Sequence, residues 1–346
     1  MVSSVSLARA GVPFPGAVAA LSTLVLLVSA GCADSGQDAA SDAGPTLDNC
    51  GIEVPAGEEP QRIFASYHNA IEMVHALGLG DRLVGTAFLD NTVLPEYAEA
   101  QEKAEYYESL PSKEELLRLK PDLVVSGYGS FTDDAFGSRA DLAELGIRTW
   151  QFSSMCPAED GLGQADLVPG EVTMDDVYAD LEGLGELTGT GERADEVVAE
   201  MRSTIDGVQE RLADTAERPR VGIISTGDDG YRVLGSNDIA TDVIELAGGE
   251  NVFDDISGRL TQVGAEELIA CDPEVLLVLT CCGADVDESD ADPEITEMLD
   301  DPALAGISAI EDERLHGFTF ATSSASVRSA EAVEQVAGFL HPDLFE

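Results

Sequence analysis

One unit of this chain is written twice. Residues 112–125 read SKEELLRLKPDLVV and residues 264–278 read GAEELIACDPEVLLV, so that Glu114 recurs as Glu266. Each copy holds a short amphipathic run, a proline that stops a helix, and a continuous apolar stretch of strand length. A strand without polar alternation must be covered on both faces, which is the situation of a parallel sheet packed between helices. The duplication predicts two such α/β layers rather than one.

The rest of the pattern agrees. RIFAS (62–66), NAIEMVHALGLG (69–80) and RLVGTAF (82–88) read as strand, helix and strand, and RADLAELG (139–146) with RTWQFS (148–153) continues the alternation after the first copy. A second round runs from RVGIIST (220–226) through ATDVIELAGG (240–249), the second copy and RLHGFTF (314–320) to SAEAVEQVAGFLH (329–341). Between the rounds, residues 173–189 and 192–214 keep apolar residues at helical spacing. A TIM barrel needs eight similar units with no helical interruption, and the chain has fewer. The expected fold is α/β: two doubly wound Rossmann-like lobes, 50–165 and 191–346, joined by a helix within 166–190.

Charge narrows the partners. Asp and Glu number 67 against 18 Lys and Arg, a net charge of −49, which repels a phosphate backbone and excludes nucleic acid as a partner. An apolar share of 44% is enough for an ordinary core and argues against overall disorder. A weakly basic start containing Arg9 precedes AVAALSTLVLLV (17–28), too short for a lasting bilayer span, which takes about 20 residues. The small residues up to Cys32 complete what resembles a bacterial lipoprotein signal over 1–32, with Cys32 as the lipidated residue. Residues 33–49 are small and acidic and read as a flexible tether. An exported chain tolerates disulfides. The expected bridge joins Cys50 to Cys156 or to the Cys281/Cys282 pair, with Cys271 as a buried thiol. No C-x-x-C signals zinc or a redox dithiol.

Helix stability alone accounts for half of the duplicated glutamates. Ser112 and Glu115 form a capping box, and Gly264 with Glu267 takes its place in the second copy. Glu114 and Glu266 remain, exposed near the positive end of each helix. A helix that precedes a parallel strand starts at the edge where the strands end, the edge where ligands bind. The two glutamates should therefore flank the cleft mouth as matched anions, suited to arginines of a two-fold partner.

Loops at the strand ends supply the ligand contacts. Tyr67, Tyr128 and Tyr231 offer flat aromatic surfaces with a polar tip, and Arg259 and Arg328 could neutralise an anionic guest. His68, beside Tyr67, keeps a haem or metal contact open. With four histidines and no His-rich loop, a resident metal site is not expected. The acidic run 285–294 lacks EF-hand spacing. A G-x-S-x-G elbow, a P-loop and a dinucleotide fingerprint are all missing, so an α/β hydrolytic enzyme is the weaker reading.

The leader, the paired EELLxLxPDLVV-type units, the segment VYADLEGLGELTGTGERADEVVAEMRSTIDGV (177–208) and the ending LHPDLF (340–345) resemble the solute-binding lipoproteins of bacterial iron-chelate, haem and cobalamin importers. The resemblance implies a non-enzymatic, monomeric receptor anchored through Cys32 to the outer face of the cell membrane. It also implies a small-molecule iron(III) chelate held between helix-linked lobes, with no cofactor. Haem, cobalamin or a bare metal ion (Zn or Mn) are the alternatives within that class. Glu114 and Glu266 would then meet arginines of an ABC permease driven by a cytoplasmic ATPase.

Overall fold

The computed structural model describes residues 45–127, 129–156, 171–227 and 230–345. The amino-terminal half runs β1 (Thr46–Asn49), β2 (Ile52–Pro55), β3 (Ile63–Ser66), α1 (His68–Ala76), β4 (Leu83–Ala87), α2 (Ala98–Gln101), β5 (Tyr106–Tyr107), α3 (Lys113–Leu119), β6 (Leu123–Ser126), α4 (Arg139–Glu144) and β7 (Arg148–Gln151). Two helices follow, α5 (Met174–Thr188) and α6 (Gly191–Leu212). The carboxy-terminal half adds β8 (Arg220–Gly227), β9 (Gly230–Val233), α7 (Ile239–Leu246), β10 (Glu250–Asn251), β11 (Thr261–Val263), α8 (Ala265–Cys271) and β12 (Val275–Thr280). It closes with α9 (Asp292–Asp300), α10 (Ser308–Glu311), β13 (Leu315–Thr319), α11 (Phe320–Ser323), α12 (Ser329–Leu340) and α13 (Pro342–Phe345). No helix among the described residues is long and apolar enough to cross a membrane.

Two sheets result. The first has the order β5-β4-β3-β6-β7 and is parallel throughout. The second has the order β11-β9-β8-β12-β13, with β10 also on β8. In each, the opening strand has the next parallel strand on one side and the strand of the duplicated unit on the other: β3 pairs with β4 and β6, and β8 with β10 and β12. Chain direction across the sheet reverses there, which leaves a crevice at the carboxyl ends of the strands. The second sheet is mixed rather than parallel, because β8 turns straight back into antiparallel β9, with Gly227 opposite Gly230. A two-residue connection permits only an antiparallel partner. Gly230 has φ +133°, and a Cβ there would collide with the Val263 carbonyl oxygen.

The duplicated unit is locked the same way in both halves. Ser112 and Glu115 form the expected reciprocal box at the start of α3. Gly264 starts α8 without a side-chain cap, so Glu267 does not take the corresponding role. Both helices end on a left-handed residue before the proline, Lys120 at φ 50° and Asp272 at φ 43°. An arginine at the head of each central strand then closes the last turn: Arg62 donates to the Leu119 and Lys120 carbonyls, and Arg220 to that of Cys271. The acid after each proline answers by accepting from the arginine's backbone N–H, Asp122 from Arg62 at 3.0 Å and Glu274 from Arg220 at 2.9 Å. These clasps fix the register of β6 and β12, all of whose residues are buried.

Apolar side chains fall into three clusters. One belongs to the outer face of the first sheet, around Phe64, Leu116 and Phe136, and one to the outer face of the second, around Phe253, Leu268 and Met298. The third is shared: it runs from Ile71 and Leu123 through Leu181, Val198 and Val208 into Val333 of α12. α5 itself touches both halves. Asp180 accepts from the Ser153 N–H and hydroxyl at 2.9 and 2.8 Å, and the Met174 N–H donates to Asp242 of α7 at 2.8 Å. Burial raises the Asp180 carboxyl to about 7 despite those donors.

Residues 46–49, read from the sequence as the end of a flexible tether, form a strand instead. Thr46–Asn49 pairs with β2, and Asn49 side-chain atoms bond to the backbone of Gln151 at 2.8 Å in both directions. Arg139, itself buried, adds hydrogen bonds to the Asn49 carbonyl and side chain. Cys50, in the hairpin turn, is bridged to Cys156, with Cα atoms 5.3 Å apart. Cys281 and Cys282 are bonded to each other, a pairing the spacing did not suggest, and Cys271 is a half-buried thiol.

Between the halves, residues 90–94 act as a strap. Asn91, fully buried, donates to the Thr280 carbonyl at 3.3 Å and accepts from the Ala321 N–H at 3.0 Å, while the Thr92 N–H donates to Val286 at 3.0 Å. Beneath the strap, Glu72 of α1 receives two 2.6 Å hydrogen bonds from Arg328 and a 2.8 Å bond from the Leu94 N–H. Burial opposes ionisation of Glu72, but Arg328 and His68 outweigh it and bring its pKa down to about 2. The pair therefore stabilises the fold fully above pH 4.5, the free-glutamate value, and less and less as the pH falls towards 2. Glu72→Ala strands the arginine and should cost about 3–5 kcal/mol, measured by urea unfolding. In acid titration the variant should lose the part of the stability change that the wild type shows over that window.

Candidate functional site

Between the carboxyl edges of the two sheets lies a cavity of about 540 Å³, within the usual span of about 300–1,000 Å³ for small-molecule sites. Its walls come from both halves. Tyr67 follows β3 and Phe88 follows β4, and each adopts a left-handed φ, 70° and 61°. Such backbone is rare for a bulky residue and is held here by hydrogen bonds from the Tyr67 N–H to Ala87 and from the Phe88 N–H to Tyr107, at 2.9 and 3.0 Å. The result brings the two rings together, centroids 5.2 Å apart and tilted by 56°, against the cavity.

The second half contributes Phe320, which follows β13, and two arginines, Arg232 and Arg259. Arg259 pairs with buried Asp238 at 2.7 Å, donates to the Ser324 hydroxyl at 3.2 Å, and lies 5.2 Å from the Phe320 ring centroid. Burial pushes the Asp238 carboxyl up, and Arg259 pulls against it. Asp238 also caps α7 through the Ala240 N–H at 3.0 Å, so the arginine is aimed by an anion that the fold already needs. Glu294 balances the far wall and accepts from the Thr226 N–H at 2.8 Å. Asp90 enters from the first half, its carboxyl raised by burial against the pull of His68 and Arg259. Two cations and two anions thus line a cleft in a chain of net charge −49.

The structure separates the sequence candidates. Tyr67 and Arg259 reach the cavity. Tyr128 lies outside the described residues, as does Cys32. Tyr231 is half-buried on the other face of β9, near Glu294, Glu297 and Asp301, and its strand neighbour Arg232 takes the cavity side. Alternation along a strand makes the choice between such neighbours an all-or-none matter. Arg328 is spent on Glu72 and Thr92, so it does not meet a guest, and its charge answers a buried glutamate instead. His68 is 1% exposed and packs its Nε2 3.2 Å from Glu72. The other histidines are scattered: His75 bonds Gln101, His316 stacks on Phe339 and His341 lies by Gly248. Glu114 and Glu266 are both exposed in the first turns of α3 and α8.

The sequence profile of the periplasmic binding protein family matches residues 63–318, which takes in both sheets and the cleft. The chain belongs to that family. Members are binding proteins rather than enzymes. Among solved structures, a periplasmic binding protein from Veillonella parvula superposes with a TM-score of 0.76 at 21% identity, covering 87% of this chain and 98% of that one. An ABC-type Fe3+-hydroxamate transport system protein from Saccharomonospora viridis gives 0.69 at 24% identity, covering 86% and 99%. A vitamin B12-binding protein of Yersinia pestis is 24% identical over 229 residues, 66% of this chain and 72% of its own length. The two superposed structures share the fold of this chain. Here the aiming of Arg259 is testable by itself. Arg259→Ala should destabilise the protein by leaving Asp238 buried and unpaired, and Asp238→Asn in the same chain should restore part of the loss. A thermal-unfolding double-mutant cycle reads that coupling.

Proposed function

We propose that the protein is an extracytoplasmic receptor that captures an anionic organic chelate of iron(III), of the siderophore type, and passes it to an ABC permease driven by a cytoplasmic ATPase. The observation that carries this reading is the pairing of aromatic surface from Tyr67, Phe88 and Phe320 with Arg232 and Arg259 in one interlobe cavity. Aromatic faces suit the organic part of such a guest, and guanidinium groups suit its charge. The rest of the surface repels anions, so the cleft is where an anionic guest meets its complement. The name of the Saccharomonospora protein supports the same ligand class. A corrinoid is the second reading, favoured by the name of the Yersinia relative.

Glu114 and Glu266 occupy equivalent exposed positions on the two halves, and we assign them the docking of the permease, each to arginines. Lipidation of Cys32 would keep the receptor, acting as a monomer, at the outer face of the membrane. Titration of Trp150 and tyrosine fluorescence with ferric siderophores, haem, cobalamin and free metal salts separates the ligand classes. Ferric siderophores are expected to quench, with Arg259→Ala and Tyr67→Ala each weakening binding by about tenfold or more. Tight binding of cobalamin or haem alone would displace the siderophore reading. Reversal of both Glu114 and Glu266 to Arg should abolish uptake in cells and leave ligand affinity intact, whereas undiminished uptake would remove the docking role.

A further inference from the structure

Cys281 and Cys282 follow β12 directly, exposed on the cavity wall and bonded to each other. Facing them is Asp90, from the strap of the other half. Its side chain is 5% exposed, and its Oδ1 lies 3.7 Å from Cys281 Sγ. One donor atom from each of the three residues lies within 4.8 Å of the others. The backbone holds this spacing from both sides. The Gly283 N–H donates to the Asp90 carbonyl at 3.1 Å, and Asn91 reaches the Thr280 carbonyl at 3.3 Å. The two cysteines and the carboxylate are thus bracketed by bonds that cross between the halves.

Two sulfurs and a carboxylate oxygen make a donor set for a thiophilic divalent cation, with three protein ligands and a fourth position open. While the sulfurs are bonded to each other they carry no charge and offer nothing to such an ion. We propose that Cys281, Cys282 and Asp90 form a redox-gated site for a thiophilic divalent cation of the Zn2+ and Cd2+ kind, closed by the Cys281–Cys282 bond and opened by a dithiol or phosphine reductant. A dithiol reductant supplies two electrons and two protons to the S–S bond and is itself oxidised to a cyclic disulfide, leaving two thiols. A phosphine supplies the two electrons, takes the oxygen of a water molecule to become the phosphine oxide, and the water's two protons complete the thiols. The cation then displaces both thiol protons to solvent and binds two thiolates and the Asp90 carboxylate, with water in the fourth place. The site lies in the wall of the cavity but requires no organic guest, so it stands or falls apart from the receptor reading.

The full chain under argon, before and after treatment with a phosphine reductant and desalting, can be titrated with Cd2+ while the thiolate-to-cadmium charge-transfer band is followed. The expected result is one Cd2+ per chain with that band after reduction and none before. Cys281→Ser and Cys282→Ser should each remove the band, Asp90→Asn should weaken binding by about tenfold or more, and Cys271→Ser or the Cys50→Ser/Cys156→Ser pair should leave it in place. Equal Cd2+ binding in both redox states, a band that survives in Cys281→Ser and Cys282→Ser, or an undiminished Asp90→Asn variant would each overturn the proposal. Should a variant fail to fold by circular dichroism, alkylation of the reduced wild type, with Cys281 and Cys282 identified as modified by mass spectrometry, provides the same decision: the band must vanish.

Discussion

The apolar seam that runs from the first sheet through α5 and α6 into α12 sets how far apart the two rows of strand ends can stand. Each sheet spends one face on its own outer helices and the other on this common core. A β-sheet hinge could bend without exposing apolar surface, but here opening the cleft widely would pull buried leucines and valines apart. Each fully buried side chain of that kind is worth about 1.5–3 kcal/mol, so the seam resists large excursions. The cleft is a consequence of the seam, since the edges it leaves unfilled face one another.

Polar contacts refine what the seam allows. The strap at 90–94 and the Glu72–Arg328 pair lie on the cleft side, where apolar packing stops. A bidentate pair at 2.6 Å tolerates little sliding, so these groups specify one mutual orientation more than they add to stability. Arg259 is aimed by the same device on the ligand side, through Asp238. In both cases a buried carboxylate holds a guanidinium in place, and in one of the two that guanidinium lines the cavity.

Much of this architecture can be read from the chain before any coordinates. Continuous apolar runs announce parallel strands, and the repeat of Glu-Glu-Leu with its proline announces two halves. The hairpin at 46–55 escapes such a reading because its short strands carry no alternating core face and are held by Asn49, Arg139 and a disulfide. The site is less legible. Tyr67 is signalled by standing at a strand end, and Arg259 by being a cation in an acidic chain. Arg328 gives the same signal and means something else, because its partner Glu72 is 256 residues away and no local pattern connects them. Arg232 and Tyr231 are neighbours on β9, and only the register of that strand decides which one sees the cavity. The meeting of Asp90 with Cys281 likewise depends on contact between halves.

The hairpin has one more consequence, a mechanical one. Tension applied at Thr46 enters at the open end of β1. Peeling would unzip β1 from β2 one rung at a time, but it would stall at the turn, where Cys50 is welded to Cys156. Beyond that point the load passes through Asn49 and Cys50 into the edge of the first sheet, where Arg139 and Gln151 take it in shear. Such a load is delivered to Cys156, whose neighbour Met155 lines the cavity, so the root of the hairpin and the wall of the cleft are mechanically joined.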